Sequence, residues 1–407
     1  MITIRNPEIR NEGENVRLTA DIDIGGRVRS LWMSVPKQYG AFLCAERSDA
    51  FVLAFLTYAM RYGHDIAFEA PMTERLYGQL TDQFLPALYK ANAYTNEFQP
   101  GSRRGYRVRL SGPTAPEVQH PTGGDRIGTG VSCGVDSLHA FAKYQDVNLG
   151  CVWNVHGVAP DETPERRQLA WTNMLKAAQP FCDYIHCELL AVDSNFDREC
   201  DPDLIWDGMT TNGNLFFIFG LQKLWSKYYV ASGYDVRDSR LSGAPWGDPA
   251  HYEYLLFAML ALNGFVVRMD GVAQERIHKV ADLAKYEPAT HYLNVCHGIT
   301  NDGRNCSFRC GKCMRTMLNL DACDALDDFK EVFDVAYYRK HFSEYLAELY
   351  RGYIQKNTFY LEMRPIFSKR KYPLSVYLDA WYIVCKKAVK KILRFGRRRE
   401  GVFLPRG

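Results

Sequence analysis

The chain has 407 residues, 47% of them hydrophobic and 24% charged, with a net charge of +3 at pH 7. This is the composition of an ordinary folded protein of two or three domains, and it excludes a disordered, collagen-like or low-complexity chain. With 50 Lys and Arg against 47 Asp and Glu, it also excludes a globally basic nucleic-acid binder, so any anionic partner is met locally.

The opening segment, MITIRNPEIRNEGENVR, has no continuous apolar core behind a basic end, so no secretory signal is read there and a cytoplasmic location is expected. The longest apolar stretch, residues 254–267, is broken by Asn263 and Gly264 and is shorter than the roughly 20 residues that span a bilayer. It reads as a buried helix running into a strand. Twelve cysteines in a reducing compartment bind metal or do chemistry more often than they form disulfides, so their spacing carries information.

Residues 16–24 and 27–35 alternate apolar with polar positions across Gly25-Gly26, the pattern of a β-hairpin. Residues 49–62 and 72–91 carry apolar side chains at helical spacing, and residues 105–110 return to strand alternation, giving an N-terminal α+β domain over 1–122. The Pro-, Gly- and Thr-rich run 111–124 has no periodicity and reads as a linker. Beyond it, strands at 126–131, 151–158, 184–190, 228–232 and 265–269 alternate with helices at 137–144, 163–178, 214–225 and 251–262. That alternation predicts an α/β domain over 123–325 with a parallel sheet and crossover helices, whose ligands bind at the carboxyl ends of the strands. Residues 326–407 read as a helical, aromatic extension ending in the basic run KKAVKKILRFGRRR.

Between the first strand and first helix of the α/β region lies IGTGVSCGVDS, residues 127–137. Small residues at Ser132, Cys133 and Gly134 let the backbone approach an anion, and the amides that open a helix point at it with the positive end of the dipole behind them. Ser132 and Ser137 add hydroxyl donors, while Asp136 can hold Mg²⁺ or cap the helix. No lysine follows, so the Walker pattern is not met, and Gly128, Gly130 and Gly134 have the wrong spacing for a dinucleotide fingerprint. A capped strand-to-helix turn is the plain alternative.

The run SCGVDS resembles the SGGxDS loop of the PP-loop ATP pyrophosphatases, enzymes that split ATP between its α and β phosphates and adenylate a substrate. The resemblance implies a sheet of the adenine nucleotide α-hydrolase-like (HUP) type. It implies nucleotide contacts from Gly130, Ser132, Cys133, Gly134, Val135, Asp136 and Ser137, with Ser132, Asp136 and Ser137 nearest the chemistry. Cys133 stands where the pattern has glycine, and can be inert, reactive or merely small.

Residues 295–316 read VCHGITNDGRNCSFRCGKCMRT, with Cys296, Cys306, Cys310 and Cys313 inside eighteen residues. A Cys₄ zinc site needs thiolates gathered by tight loops, and Gly311-Lys312 between the last two suits such a turn. Four buried reduced thiols are the plain alternative, disfavoured because loops this polar offer little apolar interior. The spacing of Cys306, Cys310 and Cys313 is also that of a radical-SAM iron–sulfur site. Fewer than a hundred residues follow, however, too few for that fold, and Cys296 would close the open iron. A cluster held by all four cysteines stays open beside zinc. His297 and Cys323 are weaker candidates.

Together the two motifs resemble the 7-cyano-7-deazaguanine synthase family of the queuosine pathway over residues 128–318. The strand YYVASGYD (228–235) and the helix QERIHKV (274–280) fall where that family has counterparts, and Cys310, Cys313 and Arg315 match its Cys-x₂-Cys-x₂-Arg ending loosely. In the family a carboxylate is adenylated, ammonia displaces AMP, and a second ATP drives dehydration to a nitrile. The first 120 and last 80 residues have no counterpart there, and the second strand end reads Asn154-Val155-His156-Gly157. The resemblance therefore implies ATP, Mg²⁺, Zn²⁺ and an AMP-forming ligase making a C–N bond on a different small-molecule or peptide carboxylate, with a nitrogen donor. A sulfurtransferase, with Cys133 or Cys323 carrying persulfide, and a nucleotide-binding module without turnover are the alternatives.

Secondary candidates are Asp235 and Asp238, for ribose, metal or substrate unless they cap a loop, and His156, for adenine contact or proton transfer. Arg237 and Arg240 suit an anionic substrate, and Arg276 and Lys279 a phosphate. Lys386, Lys387, Lys390, Lys391 and Arg394, with Trp381, Tyr382 and Leu393 among them, form a basic amphipathic tail suited to weak contact with an anionic surface. Nucleic acid is not the expected partner.

Overall fold

The computed structural model describes residues 1–93, 106–153, 163–200, 209–241, 248–262, 264–296, 305–308 and 310–400. The chain forms two compact units, Met1–Gln274 and Glu275–Gly407.

In the first unit the N-terminal strands are β1 (Ile2–Ile4), β2 (Glu8–Glu12), β3 (Asn15–Ile24), β4 (Arg27–Pro36), β5 (Ile66–Phe68), β6 (Met72–Thr73), β7 (Leu110–Ser111) and β8 (Thr114–Ala115). They are followed by β9 (Arg126–Gly130), β10 (Leu149–Trp153), β11 (Glu188–Ser194), β12 (Trp225–Ala231), β13 (Ala261–Leu262) and β14 (Phe265–Asp270). Twelve of them build one sheet in the order β13-β14-β12-β9-β10-β11-β4-β3-β1-β5-β7, with β2 on β3, and β6 pairs with β8. The hairpin β3–β4 turns at Gly25 (φ 61°) and Gly26 (φ 87°), the two left-handed positions that a tight two-residue turn demands.

The run β14-β12-β9-β10-β11 is parallel throughout, as the strand and helix alternation predicts. The chain starts this run at its centre: β9 lies between β10, the next strand in sequence, and β12. Connections therefore leave β9 and β12 in opposite directions, which makes their carboxyl ends the place where an open parallel sheet receives a ligand.

The division of the chain differs from boundaries at 122 and 325. Strand β4 adds antiparallel to β11, pairing Ser34 with Asp193 and Met33 with Ser194. Asn195 extends the join through its side chain, whose Oδ1 accepts from Trp32 N (2.8 Å) while its Nδ2 donates to Ser30 O (2.8 Å). Helices Asp49–Tyr62 and Met209–Gly220 pack together, Phe51 against Phe216 at 5.5 Å, and Thr57 Oγ1 donates to Asn212 Oδ1 at 2.6 Å. The expected linker is held by β7 on β5 and β8 on β6. The described residues of 1–122 thus share a sheet and a core with the α/β strands.

Local elements follow the sequence more closely. Helix Asp49–Tyr62 has the expected limits, and Gly63 closes it in the left-handed conformation (φ 73°). The helix expected at 251–262 shortens to Glu253–Phe257, because Ala261 and Leu262 pair with β14. Residues 72–91 begin as strand β6 before turning helical, and of residues 106–110 only Leu110 enters a strand.

The second unit is helical, with Arg276–Leu283, Gly311–Ala322, Phe342–Ile354 and the long Leu374–Glu400 among its helices. Its interior holds Met317, Leu318, Leu320, Phe329, Tyr345, Leu346, Leu349 and Met363. Among the described residues no helix is long and apolar enough to cross a membrane.

Candidate functional site

Strand β9 ends at Gly130, and Val131 still donates its amide to Cys151 O (2.8 Å) before the chain turns into helix Val135–Lys143. Cys133 adopts φ 54°, the left-handed region that favours glycine and the place where the SGGxDS pattern has one. Its side chain is fully buried, the thiol donates to Ala177 O at 3.3 Å, and burial pushes its pKa up to about 12. Of the three readings of Cys133, the structure favours an inert packing residue.

Around it the loop is closed by its own hydroxyls. Ser132 Oγ donates to Ser137 Oγ (3.1 Å), which also accepts from Ser132 N (3.3 Å) and donates to Gly134 O (3.2 Å). Ser132 is exposed at the mouth, Ser137 is buried beneath it, and Asp136 is half-buried in the first helical turn. The cap position is Gly134, which has no side chain to offer the first-turn amides. Exposed hydroxyl, uncapped helix start and a carboxylate thus meet at the carboxyl end of β9.

The helix that opens with this loop is anchored on a buried acid, a contact absent from the sequence reading. His139 Nδ1 lies 2.9 Å from Asp270 Oδ2, and Lys143 Nζ donates to Asp270 Oδ1 at 2.9 Å. Asp270 ends β14, and both it and His139 are about 1% exposed. Burial drives the Asp270 carboxyl upward, but hydrogen bonds from His139 and Lys143 outweigh it and hold the pKa at about 2. The sequence signal was an acid closing the apolar strand FVVRMD. Its partners became evident only from the strand order.

The loop after β12 follows the carboxyl end of the neighbouring strand. Asp235 is buried and caps the turn Val236–Asp238, accepting from Arg237 N (2.7 Å), Nε (3.1 Å) and a terminal guanidinium nitrogen (2.5 Å). The Arg237 bonds, outweighing burial, hold its carboxyl below the ordinary value. Asp235 therefore serves the loop-capping role. Val236 N donates to Val272 O (2.7 Å), and Tyr234 stacks on His251 at 4.1 Å, whose Nδ1 lies 2.9 Å from Asp238 O. His156 and residues 154–157 lie outside the described residues.

In the second unit Cys296, Cys306, Cys310 and Cys313 converge, with all four sulfurs within 4.8 Å of one another. Cys310 is the cap of helix Gly311–Ala322, its sulfur accepting from Cys313 N at 3.3 Å. Cys306 and Cys313 sulfurs lie 3.7 Å apart. Asn305 braces the site: its Oδ1 accepts from Val295 N (2.8 Å), and its Nδ2 donates to Leu293 O (2.8 Å) and Val332 O (3.0 Å). Ser307, at φ 57°, turns the chain, and the buried Tyr345 hydroxyl donates to its carbonyl at 3.0 Å. Hydrogen bonding to Cys310 and burial raise the Cys313 thiol, a cost that a bound cation would remove. This cluster can hold one metal ion. His297 lies outside the described residues. Cys323 is half-buried, and burial raises its thiol.

Among protein-family models, curated proteins and solved structures, none matches the chain.

Proposed function

We propose that the first unit is an AMP-forming ATP-dependent ligase of PP-loop type, with ATP seated between β9 and β12. The observation that carries the reading is the loop 131–137, with its exposed Ser132 hydroxyl and uncapped helix start, at the point where the strand order of the parallel sheet reverses. Ser132 and the amides of the first helical turn would receive the pyrophosphate portion of ATP. Ser137 shapes the loop, and His139, Lys143 and Asp270 hold its helix in place.

In the reaction, a carboxylate oxygen of the acceptor attacks the α-phosphorus and the bond to the β-phosphate bridging oxygen breaks, leaving acyl-adenylate and pyrophosphate. A nitrogen donor then displaces AMP. Adenylation is needed because a carboxylate has no leaving group better than oxide. Mg²⁺, for which Asp136 is the nearest candidate ligand, would neutralise phosphate charge. Sulfur insertion is less well supported, since it needs an accessible thiol carrier, and of its two candidates Cys133 is fully buried and Cys323 is half-buried with its thiol raised by burial.

The four cysteines fit zinc. Four thiolates about 2.3 Å from one ion stand roughly 3.8 Å apart, close to the separation of Cys306 and Cys313, whereas a four-iron cluster gives each thiolate its own iron and spreads them. A closed Cys₄ shell leaves no place for water, so the ion would stabilise its unit. The test is twofold. Metal analysis should return about one zinc per chain in a colourless protein, and brown, iron-loaded protein would replace zinc with a cluster. Calorimetric titration with ATP should show Ser132→Ala binding about tenfold more weakly, with Asp136→Asn binding ATP but losing most turnover. Titrations that neither substitution alters would remove the loop from the nucleotide site.

A further inference from the structure

The helix Leu374–Glu400 has two apolar sides, only one of which is covered. Ala380 (0% exposed) and Val384 (7%) face the unit's interior. Leu374 (72%), Leu378 (62%), Trp381 (48%), Tyr382 (65%) and Val389 (54%) are exposed, and so is Cys385. Placed at about 100° per residue, these six fall in one band roughly 100° wide, turned away from Ala380 and Val384. Trp381 is stacked on Tyr350 at 5.2 Å, which fixes how the band is presented.

The same helix carries the chain's strongest charge concentration. Residues 386–399 contain eight Lys and Arg and no acid, in a protein whose total charge is +3, so the remainder is net −5. Placed the same way, the exposed Lys386 falls about 40° beyond one edge of the band, while the exposed Lys387 falls on the side of Ala380.

We propose that this helix lies flat on an anionic lipid surface, its apolar band in the boundary between headgroups and acyl chains and its basic residues against lipid phosphates. The charge distribution chooses the occupant. A second copy packed in parallel would bring eight positive charges against eight, and a bare polyanion such as RNA would leave the aliphatic positions in water. An anionic bilayer satisfies both, and Trp and Tyr are the aromatic residues suited to its interface. This inference does not depend on the ATP reading.

The test is co-sedimentation of the full chain with vesicles of phosphatidylcholine, alone or doped with phosphatidylserine. Binding should require phosphatidylserine and weaken with salt. Lys386→Glu with Lys387→Glu should weaken it at least about tenfold. Leu378→Gln with Val389→Gln, which leaves the charge unchanged, should do the same, and thermal melts should match the parent because all four side chains are exposed. A polarity-sensitive dye on Cys385 should shift to the blue on adding the anionic vesicles, an outcome independent of any substitution. The proposal fails if anionic vesicles do not bind. It fails equally if the neutral Gln pair binds them unchanged while an RNA oligonucleotide competes, which is polyanion contact alone, or if the Gln pair instead abolishes a dimer seen in sedimentation.

Discussion

Glu253 offers a perturbation whose size and sign follow from its surroundings. It opens the short helix Glu253–Phe257, is 7% exposed, and accepts from Thr211 Oγ1 at 2.7 Å. Burial raises its pKa from 4.5 to about 7, with Asp248 adding to the rise and the Thr211 bond opposing it. The folded chain thus holds a proton that the unfolded chain releases near pH 4.5. The stability this proton confers is complete below pH 4.5 and disappears as the pH rises through about 7. At 1.36 kcal/mol per pKa unit the span is about 3 kcal/mol. Glu253→Gln keeps the shape and the acceptor for Thr211 but cannot ionise. Urea unfolding of both proteins from pH 4.5 to 8.5 should give a difference that moves by about 3 kcal/mol in favour of the variant, most of it before pH 7, then levels. A difference flat across that range, or one moving the other way, would refute the buried-acid reasoning.

Asp270→Asn should cost about 2 kcal/mol at neutral pH, a loss that shrinks as the pH falls from about 4 to about 2, because the depressed carboxyl contributes only while ionised. Urea melts at pH 7 and pH 3 check it, and an equal loss at both would make the contact one of packing. Asn195→Ala should destabilise by about 2–4 kcal/mol, since it strands Trp32 N and Ser30 O where β4 meets β11. A melt within 0.5 kcal/mol of the parent would show that the join holds without it. Cys133 should resist thiol reagents in the folded protein and react only with unfolding, as peptide mapping would reveal, and rapid labelling would overturn its inert role.

Those elements whose cause is local were legible in the sequence. The hairpin at Gly25-Gly26, helix Asp49–Tyr62, the parallel α/β pattern, the strand–loop–helix around Ser132 and the gathering of four cysteines all rest on turn chemistry, periodicity or short spacing. What stayed hidden depends on contacts distant in sequence. The β4–β11 pairing joins Ser34 to Asp193, His139 meets Asp270 across 131 positions, and neither leaves a trace in composition. Asp235 reads equally well as ligand or cap until Arg237 is seen to occupy its carboxylate. Cys133 reads as small or reactive until its burial is known.

The most direct test of the ligase reading is the fate of ATP. The full chain is incubated with Mg²⁺, α-labelled ATP and a pool of small carboxylates with ammonium, and the nucleotide products are separated. AMP and pyrophosphate in equal amounts, abolished by Asp136→Asn, is the predicted result. ADP and phosphate, with no AMP, would contradict it.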